Sequence, residues 1–200
     1  MSSISINNIT KRFSDKTVLQ GTSLTIEHGS LVCIMGNSGC GKTTLINIIL
    51  GLENADSGVI AGVPDKVSAV FQEDRLCEDF SALSNVAMVI DNNNAKTLAK
   101  STLEALGLKD SLNKPVKKLS GGMKRRVAIA RALVTDADFI VLDEPFKGLD
   151  DETKDSVISY VYNAIAGKTA LLVTHDAAEA HKLKAIMYQM KAKGQLEMAH

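Results

Sequence analysis

The segment from Gly36 to Thr43 constrains the fold of this chain more than any other. It contains Gly36-Asn37-Ser38-Gly39-Cys40-Gly41-Lys42-Thr43, which matches the pattern G-x-x-x-x-G-K-[ST]. An unbroken apolar run at residues 31–35 precedes it, and a helix is predicted at residues 42–52. Glycines in such a turn let consecutive backbone N–H groups point inward, and the helix N-terminus adds the positive end of its dipole. The sequence therefore predicts a loop that holds phosphate groups between a buried strand and a helix.

Other apolar runs predict further strands of the same sheet. Residues 67–71, 139–142 and 169–173 are mostly apolar, as is typical of strands buried on both faces of a parallel sheet. Helices are predicted between them, at residues 95–106, after Gly121 and at residues 154–166. Strands that alternate with helices indicate an α/β fold with a mainly parallel sheet. We expect one domain over residues 1–200, with a mostly helical insertion at about residues 73–135, and additional strands at residues 3–9 and 18–26.

Two acidic residues follow the apolar run at residues 139–142. Asp143 is placed to hold Mg²⁺, and Glu144 to polarise a water molecule for attack on a γ-phosphate. Lys42 can reach the β- and γ-phosphates, and the Thr43 hydroxyl can bind the same metal ion. Paired acids are often only a helix cap or a solvated turn. Here the buried strand before them and the phosphate loop favour a nucleotide site.

Composition excludes several classes of protein. Lys plus Arg and Asp plus Glu each number 23, so the formal net charge is zero, whereas nucleic-acid binders normally carry a basic excess. Cys33, Cys40 and Cys77 form no C-x-x-C pair, so neither a zinc site nor a disulfide framework is indicated and a reducing cytoplasm is expected. Residues 1–6 show no secretory signal, and no apolar run approaches the roughly 20 residues of a membrane helix. We therefore expect no nucleic-acid partner and a chain that does not itself cross a membrane.

A further motif separates the classes of phosphate-loop protein. A GTPase needs an N-K-x-D element, and Asn113-Lys114-Pro115-Val116 lacks the acid; a small-molecule kinase would need no further signature. Leu119-Ser120-Gly121-Gly122-Met123 resembles the L-S-G-G-Q signature of the ABC (ATP-binding cassette) ATPases, and it precedes the Asp143-Glu144 strand in the order that family uses. Alone, it would be better explained as a serine N-cap with a glycine turn. Together with the other two motifs it identifies the chain as similar to that family.

The resemblance implies a fold and a set of roles. The fold would be a P-loop NTPase of the ABC cassette type, with a mainly parallel sheet, a small antiparallel β subdomain and an inserted helical subdomain. Gln72 matches the glutamine that helps position metal and water, and His175 matches the switch histidine that contacts the γ-phosphate. Asp150 would lie at a dimer interface. Phe13 stands where an aromatic stacks on adenine, although a core aromatic is an equally good interpretation of Phe13, and Gln72 could be a strand-end amide.

The resemblance thus gives a complete candidate site. The nucleotide-binding residues would be Phe13, Gly36, Asn37, Ser38, Gly39, Cys40, Gly41, Lys42, Thr43 and Thr44 of one chain, with Ser120, Gly121 and Gly122 supplied by a second chain. The metal would be held by Thr43, Gln72 and Asp143. The catalytic residues would be Glu144, His175, Gln72 and Lys42. We also expect alkylation of Cys40 to block ATP hydrolysis, because thiols at helix N-termini tend to be reactive.

The function that the resemblance implies is ATP hydrolysis coupled to membrane transport. Two chains, expected to be a homodimer, would sandwich two ATP molecules with Mg²⁺ and drive integral membrane permease subunits. An external substrate-binding protein would deliver the substrate to these subunits. The chain would be cytoplasmic, peripheral on the inner face of the membrane, and most similar to the nitrate, sulfonate and taurine importers. Leu76, Cys77, Phe80 and Leu83 would offer an apolar docking contact, unless Phe80 and Leu83 belong to the core. A DNA-repair or ribosomal ABC ATPase would carry insertions or a second cassette, and a regulatory cassette without turnover would lack Glu144 or His175.

The chain also departs from the family pattern. Met123 replaces the usual glutamine of the signature, and Phe13 replaces the commoner tyrosine. The stretch at residues 58–70 is short, which predicts a trimmed antiparallel subdomain beside the adenine.

Overall fold

The computed structural model describes residues 3–199; Met1 and Ser2, which begin the segment without a secretory signal, and His200 lie outside it. The strands are β1 (Ile4–Phe13), β2 (Lys16–Ile26), β3 (Leu31–Met35), β4 (Ser57–Ala61), β5 (Val67–Val70), β6 (Phe139–Asp143), β7 (Thr169–Val173), β8 (Ile186–Met190) and β9 (Leu196–Met198). The helices are α1 (Lys42–Ile49), α2 (Ala82–Ala87), α3 (Ala95–Ala105), α4 (Gly121–Leu133), α5 (Asp151–Ala164) and α6 (Ala177–Lys182). The predicted strands and helices are therefore present, with ends shifted by a few residues.

The main sheet has six strands in the order β5-β6-β7-β3-β8-β9. The first five run parallel, and β9 pairs antiparallel with β8. Successive residues of β6 enter two different hydrophobic clusters, with Ile140 and Leu142 on one side and Phe139 and Val141 on the other. Burial on both faces explains why this strand is apolar without alternation. The mainly parallel α/β sheet predicted from the sequence is confirmed.

The smaller sheet is antiparallel and has the order β2-β1-β4. Strand β4 was not predicted, because most of its side chains are exposed and it carries no apolar pattern. Its Gly58 has φ 96°, and a Cβ there would lie 2.6 Å from the carbonyl oxygens of Asn7 and Asn8, so only glycine lets β4 pair this closely with β1. Although the stretch at residues 58–70 is short, the sheet keeps three strands.

The helices α2, α3 and α4 pack against one another on one side of the main sheet. Short 3₁₀ turns at Lys109–Ser111 and Val116–Lys118 connect α3 to α4. This mostly helical region follows β5 and precedes β6, as expected; its boundaries as a subdomain remain a prediction. Among residues 3–199, none of the helices is long and apolar enough to span a membrane.

The topology places the site. Because β3, β5, β6 and β7 are parallel, their carboxyl ends meet at one edge of the sheet, where open α/β sheets bind ligands. The loops that leave these four ends carry every motif predicted to contact phosphate or water within one chain.

Candidate functional site

A cavity of about 560 Å³ lies at this edge of the sheet. Residues from the phosphate loop, the acidic strand end and the hairpin between β1 and β2 form its wall. They are Phe13, Lys16, Val18, Gly36, Asn37, Ser38, Gly39, Gly41, Lys42, Thr43, Thr44, Gln72, Asp143, Glu144, Lys147 and His175. Thus the structure brings almost all of the predicted one-chain site residues together around one cavity.

The phosphate loop wraps the N-terminus of α1. Gly41 is the cap residue, with φ 112°, and no side chain described in the structure caps this helix end, so the N–H groups of its first turn are available to an anion. A Cβ on Gly36 would lie 2.5 Å from the carbonyl oxygen of Met190, so the loop can pack against the end of β8 only with glycine there. The Nζ of Lys42 donates to the carbonyls of Gly36 at 2.7 Å and Asn37 at 3.0 Å. These bonds hold the lysine amine against its own loop at the wall of the cavity.

Asp143 ends β6 and is only 3% exposed. Burial raises the pKa of its carboxyl group, and the negative charge of Glu144 raises it further. One of its oxygens, Oδ2, lies 3.4 Å from the Thr43 hydroxyl. A buried carboxylate beside a second acid and a hydroxyl offers hard oxygen ligands, and such a set fits a divalent cation such as Mg²⁺.

Glu144 and His175 form a close pair beside this carboxylate. His175 Nδ1 lies 2.8 Å from Glu144 Oε2 and 3.1 Å from Oε1. The Glu144 side chain is 15% exposed and that of His175 is 70% exposed. The Glu144 backbone has φ 49°, a left-handed conformation that is uncommon outside glycine. The pair therefore joins the end of β6 to the end of β7 at the cavity wall.

A buried network supports the segment that carries His175. The Thr174 hydroxyl, which is fully buried, donates to the carboxylate of Glu179 at 2.5 Å. Lys154 of α5 lies 3.2 Å from the same carboxylate, and its contact with Glu179 raises the pKa of Lys154 despite partial burial. The Asp176 N–H also donates to the Thr174 hydroxyl. Sequence reasoning missed this network because it joins residues whose proximity depends on the packing of α5 and α6.

Gln72 and Phe13 both line the cavity. Gln72 lies two residues after the end of β5 and is exposed. Phe13 is 45% exposed at the end of β1, and the Lys11 ammonium lies 5.1 Å from the centre of its ring. Phe13 is therefore not a core aromatic, and its exposure at the cavity wall is compatible with stacking.

The signature residues are not in the wall of this cavity. Ser120 accepts a hydrogen bond from the Met123 N–H at 3.3 Å and so caps α4, as the simpler interpretation of the motif predicts. Ser120 and Gly121 are exposed, whereas Gly122 packs beside the carbonyl of Gly148. The structure therefore leaves Ser120 and Gly121 facing solvent, away from the phosphate loop of the same chain.

Asp150 has a local role at the start of α5. Its carboxylate accepts a hydrogen bond from the Thr153 N–H at 3.0 Å, and this bond lowers the pKa of Asp150. Asp150 is exposed, and its contact with a second chain remains a prediction.

A family model described as "ABC transporter" matches residues 19–147. The chain belongs to the ABC transporter family. The matched region contains the phosphate loop, the signature and the acidic strand end, so the family and the class of ATP-binding, ATP-hydrolysing cassettes predicted from these motifs are confirmed.

Curated relatives of this cassette act in transport. The present chain is 40% identical over 179 residues to the aliphatic sulfonates import ATP-binding protein SsuB 1 of Pseudomonas fluorescens. The alignment covers 88% of this chain and 69% of that protein. The chain is 38% identical over 197 residues to the Nod factor export ATP-binding protein I of Burkholderia lata, covering 90% and 65%. The cassette thus spans about two thirds of the length of each of these two relatives.

A solved cassette has the same fold. The dimeric post-hydrolysis structure of the ATP-binding cassette MJ0796 with ADP and Pi superposes with a TM-score of 0.87 at 28% identity. The superposition covers 97% of this chain and 96% of that one. The predicted cassette architecture is therefore confirmed along nearly the whole chain.

Three residues of the cavity wall were not predicted from the sequence. Lys147 lies three residues after Glu144 in the same loop, so its proximity to the acids was a usable signal. Lys16 and Val18 come from the hairpin between β1 and β2, and only the approach of the smaller sheet to the phosphate loop places them there.

Cys40 differs from the remaining loop residues. It is 8% exposed, packs in a hydrophobic cluster, and does not line the cavity. Buried structural thiols are usually inert, so the structure favours slow alkylation of Cys40, whereas Cys77 is exposed.

Proposed function

We propose that this cassette is the ATP-hydrolysing subunit of an ABC importer, and that it works as a homodimer whose two sites each hold ATP and Mg²⁺. The observation that carries the proposal is the single cavity in which the phosphate loop faces Gln72, Asp143 and the Glu144–His175 pair. An anion-binding helix end on one side and two acids on the other are the groups that phosphoryl transfer from ATP to water requires.

Different residues of the cavity bind the phosphates, the adenine and the metal ion. The loop N–H groups and Lys42 bind the β- and γ-phosphates, and the exposed ring of Phe13 stacks on adenine. Asp143, Thr43 and Gln72 hold Mg²⁺, which when bound neutralises developing negative charge on the phosphates. Together these groups fix the γ-phosphate beside Glu144.

Glu144 acts as the general base for hydrolysis. Its carboxylate accepts a proton from a water molecule while the water oxygen bonds to the γ-phosphorus. The bond from that phosphorus to the oxygen shared with the β-phosphate breaks, and ADP and phosphate are released. His175 orients the carboxylate through the contact between Nδ1 and Oε2 at 2.8 Å.

The signature segment supports the dimer. Ser120 and Gly121 sit exposed at the N-terminus of a 13-residue helix, a second anion-binding end that does not reach the cavity of its own chain. A second copy arranged head to tail would place this end on the γ-phosphate. ATP then joins the two chains, and hydrolysis removes the phosphate bridge so that the closed dimer loses its extra binding energy.

The remaining partners are membrane subunits and an external substrate-binding protein. Similarity to sulfonate importers supports import, and the place of the chain would be the inner face of the cell membrane. Phe80 is 51% exposed and Cys77 is also exposed, whereas Leu76 and Leu83 are half-buried and pack against the core. Phe80 and Cys77 are therefore the docking residues that a membrane subunit can reach. The substrate would be selected by subunits other than this chain.

The central test uses Glu144→Gln, measured by size-exclusion chromatography with light scattering with and without Mg-ATP, beside wild-type ATPase activity. We expect turnover only in the wild type and an ATP-dependent dimer of the variant, because a base that cannot accept a proton leaves ATP in place. Glu152→Gln, an exposed acid in the first turn of α5, is the matched control and should behave as wild type. Turnover by Glu144→Gln at the wild-type rate would refute the assigned base.

The docking contact is tested with Phe80→Asp in vesicles that contain the membrane subunits. Transport should be lost while the ATPase activity of the isolated cassette is kept. Val59→Asp, at a 64% exposed position on the smaller sheet, is the control and should leave transport intact. Unchanged transport by Phe80→Asp would show that Phe80 does not contact the membrane subunits.

A further inference from the structure

Arg125 lies on α4, five residues after Ser120, and is only 3% exposed. Its guanidinium donates to four backbone carbonyls and one carboxylate, those of Asp143 at 2.8 Å, Glu144 at 2.5 Å, Pro145 at 3.0 Å, Phe71 at 2.6 Å and Asp74 at 3.0 Å. One buried side chain thus touches both the loop after β6 and the loop after β5. The hydrolysis steps described above do not use it.

The contacts with the loop after β6 bear directly on Glu144. The carbonyls of three successive residues, 143 to 145, turn toward one guanidinium, and the middle one belongs to the residue with φ 49°. An unusual backbone conformation at a functional residue persists only when its surroundings hold it. Arg carries five N–H donors in a rigid fork, which suits it to fix several carbonyls at once.

The other arginines of α4 make different contacts. Arg126 donates to the carbonyls of Gly122, Leu106 and Gly107, all within the helical region. Arg131 donates to the carbonyls of Arg75 and Asp74. Arg131 therefore holds only the loop after β5, and Arg126 holds neither loop. Comparing the three arginines separates the effect of holding both loops from the effect of holding one loop or neither.

We propose that Arg125 is a positioning residue for the proposed base. It holds the backbone of residues 143 to 145 in the conformation that directs the Glu144 carboxylate to His175 and the cavity. Because the same guanidinium holds the carbonyl of Phe71, next to Gln72, it fixes the base and the proposed metal-side glutamine relative to each other. Because Arg125 lies on the helix that Ser120 begins, both loops are tied to the segment that meets the second chain. The inference rests on the proposed function, since it needs Glu144 to act in hydrolysis.

The test compares Arg125→Gln and Arg125→Lys with Arg126→Gln and Arg131→Gln in the full chain. Thermal unfolding, ATP affinity without Mg²⁺, kcat at saturating Mg-ATP and ATP-dependent dimerisation are measured for each. Displacing a reacting group by about 1 Å can cost about 100-fold in rate, so we expect kcat of Arg125→Gln to fall between about 10-fold and 100-fold. The affinity for ATP without Mg²⁺ should stay within about threefold, because the hydrogen bonds of Arg125 reach no residue of the phosphate loop, and the ATP-bound dimer should persist. Arg126→Gln should keep the wild-type kcat.

Arg125→Lys keeps the inference testable if Arg125→Gln fails to fold. It keeps the positive charge beside Asp74 but cannot donate to several carbonyls in a fork, so it should stay folded with a reduced kcat. A wild-type kcat in folded Arg125→Gln or Arg125→Lys would overturn the inference, as would a decrease of the same size in Arg126→Gln. A parallel loss of ATP affinity and kcat would also overturn it, because it would indicate a general structural role. If the wild type hydrolyses no ATP or Glu144→Gln retains turnover, the proposed function fails instead.

Discussion

Replacing Gly41 by alanine tests how tightly the phosphate loop is built. Gly41 has φ 112°, and a Cβ there would lie 2.6 Å from Leu19 Cδ2 and 3.2 Å from the carbonyl oxygen of Val18. The backbone conformation costs an L-residue about 1–2 kcal/mol, and crowding a packed core costs about 1–3 kcal/mol. Together they predict a loss of about 2–5 kcal/mol from the free energy of unfolding.

The matched control is Gly39→Ala in the same loop. Gly39 has φ 80°, also positive, but a Cβ there would meet no heavy atom within 4 Å beyond its own chain neighbours. Only the backbone cost of about 1–2 kcal/mol applies to it. At about 2–4 °C of melting temperature per kcal/mol for a chain of this size, Gly41→Ala should melt about 4–20 °C below wild type, and Gly39→Ala about 2–8 °C below.

The assay is thermal unfolding without nucleotide, backed by urea titration. Adding Leu19→Ala to Gly41→Ala should recover about 1 kcal/mol relative to the sum of the single changes, because the crowded atom is removed. Equal destabilisation by Gly41→Ala and Gly39→Ala, or strict additivity with Leu19→Ala, would show that crowding against β2 is not what selects glycine at this position.

Three other predictions concern buried groups. Because burial raises the pKa of Asp143, the folded state binds more protons and stability falls as the pH rises through the window between the ordinary and the raised pKa; Asp143→Asn should therefore exceed wild type in unfolding free energy at about pH 7, and the gain should shrink toward about pH 4. Lys154→Met should lose about 2–3 kcal/mol in urea unfolding because it leaves the buried Glu179 carboxylate without its cation, whereas Lys182→Met, which breaks an exposed pair, should lose under about 1 kcal/mol. Native labelling with a thiol reagent should modify Cys77 quickly and the two buried thiols only on unfolding, and rapid reaction after Cys77→Ser would contradict this.

Local patterns predicted most of the main sheet and its site loops. The apolar runs ending at Met35, Leu142 and Val173 correspond to strands whose following loops line the cavity. Such runs are readable because strands covered on both faces leave no polar alternation. By contrast, β4 and β9 are short and largely exposed, and an exposed edge strand needs no apolar pattern. Their pairing partners alone make them strands.

Side chains that act through packing were harder to anticipate. Arg125 looks in the sequence like an ordinary charged residue on a helix, yet it is buried against backbone carbonyls from two loops. The Lys154–Glu179 contact likewise joins residues 25 positions apart in the chain. Neither contact has a local signal, because both depend on how helices lie against the sheet.

The sequence by itself determined the chemistry of this protein, since glycine spacing, the lysine that follows and acids after an apolar strand act through local backbone geometry. The parallel order of β5, β6, β7 and β3 decided that these loops meet, because strand neighbours are set by contacts between distant residues. Only the tertiary structure placed Phe13 in the open, buried Cys40 and left Ser120 away from its own cavity. Exposure depends on what the rest of the chain packs against a residue, and that information is not local.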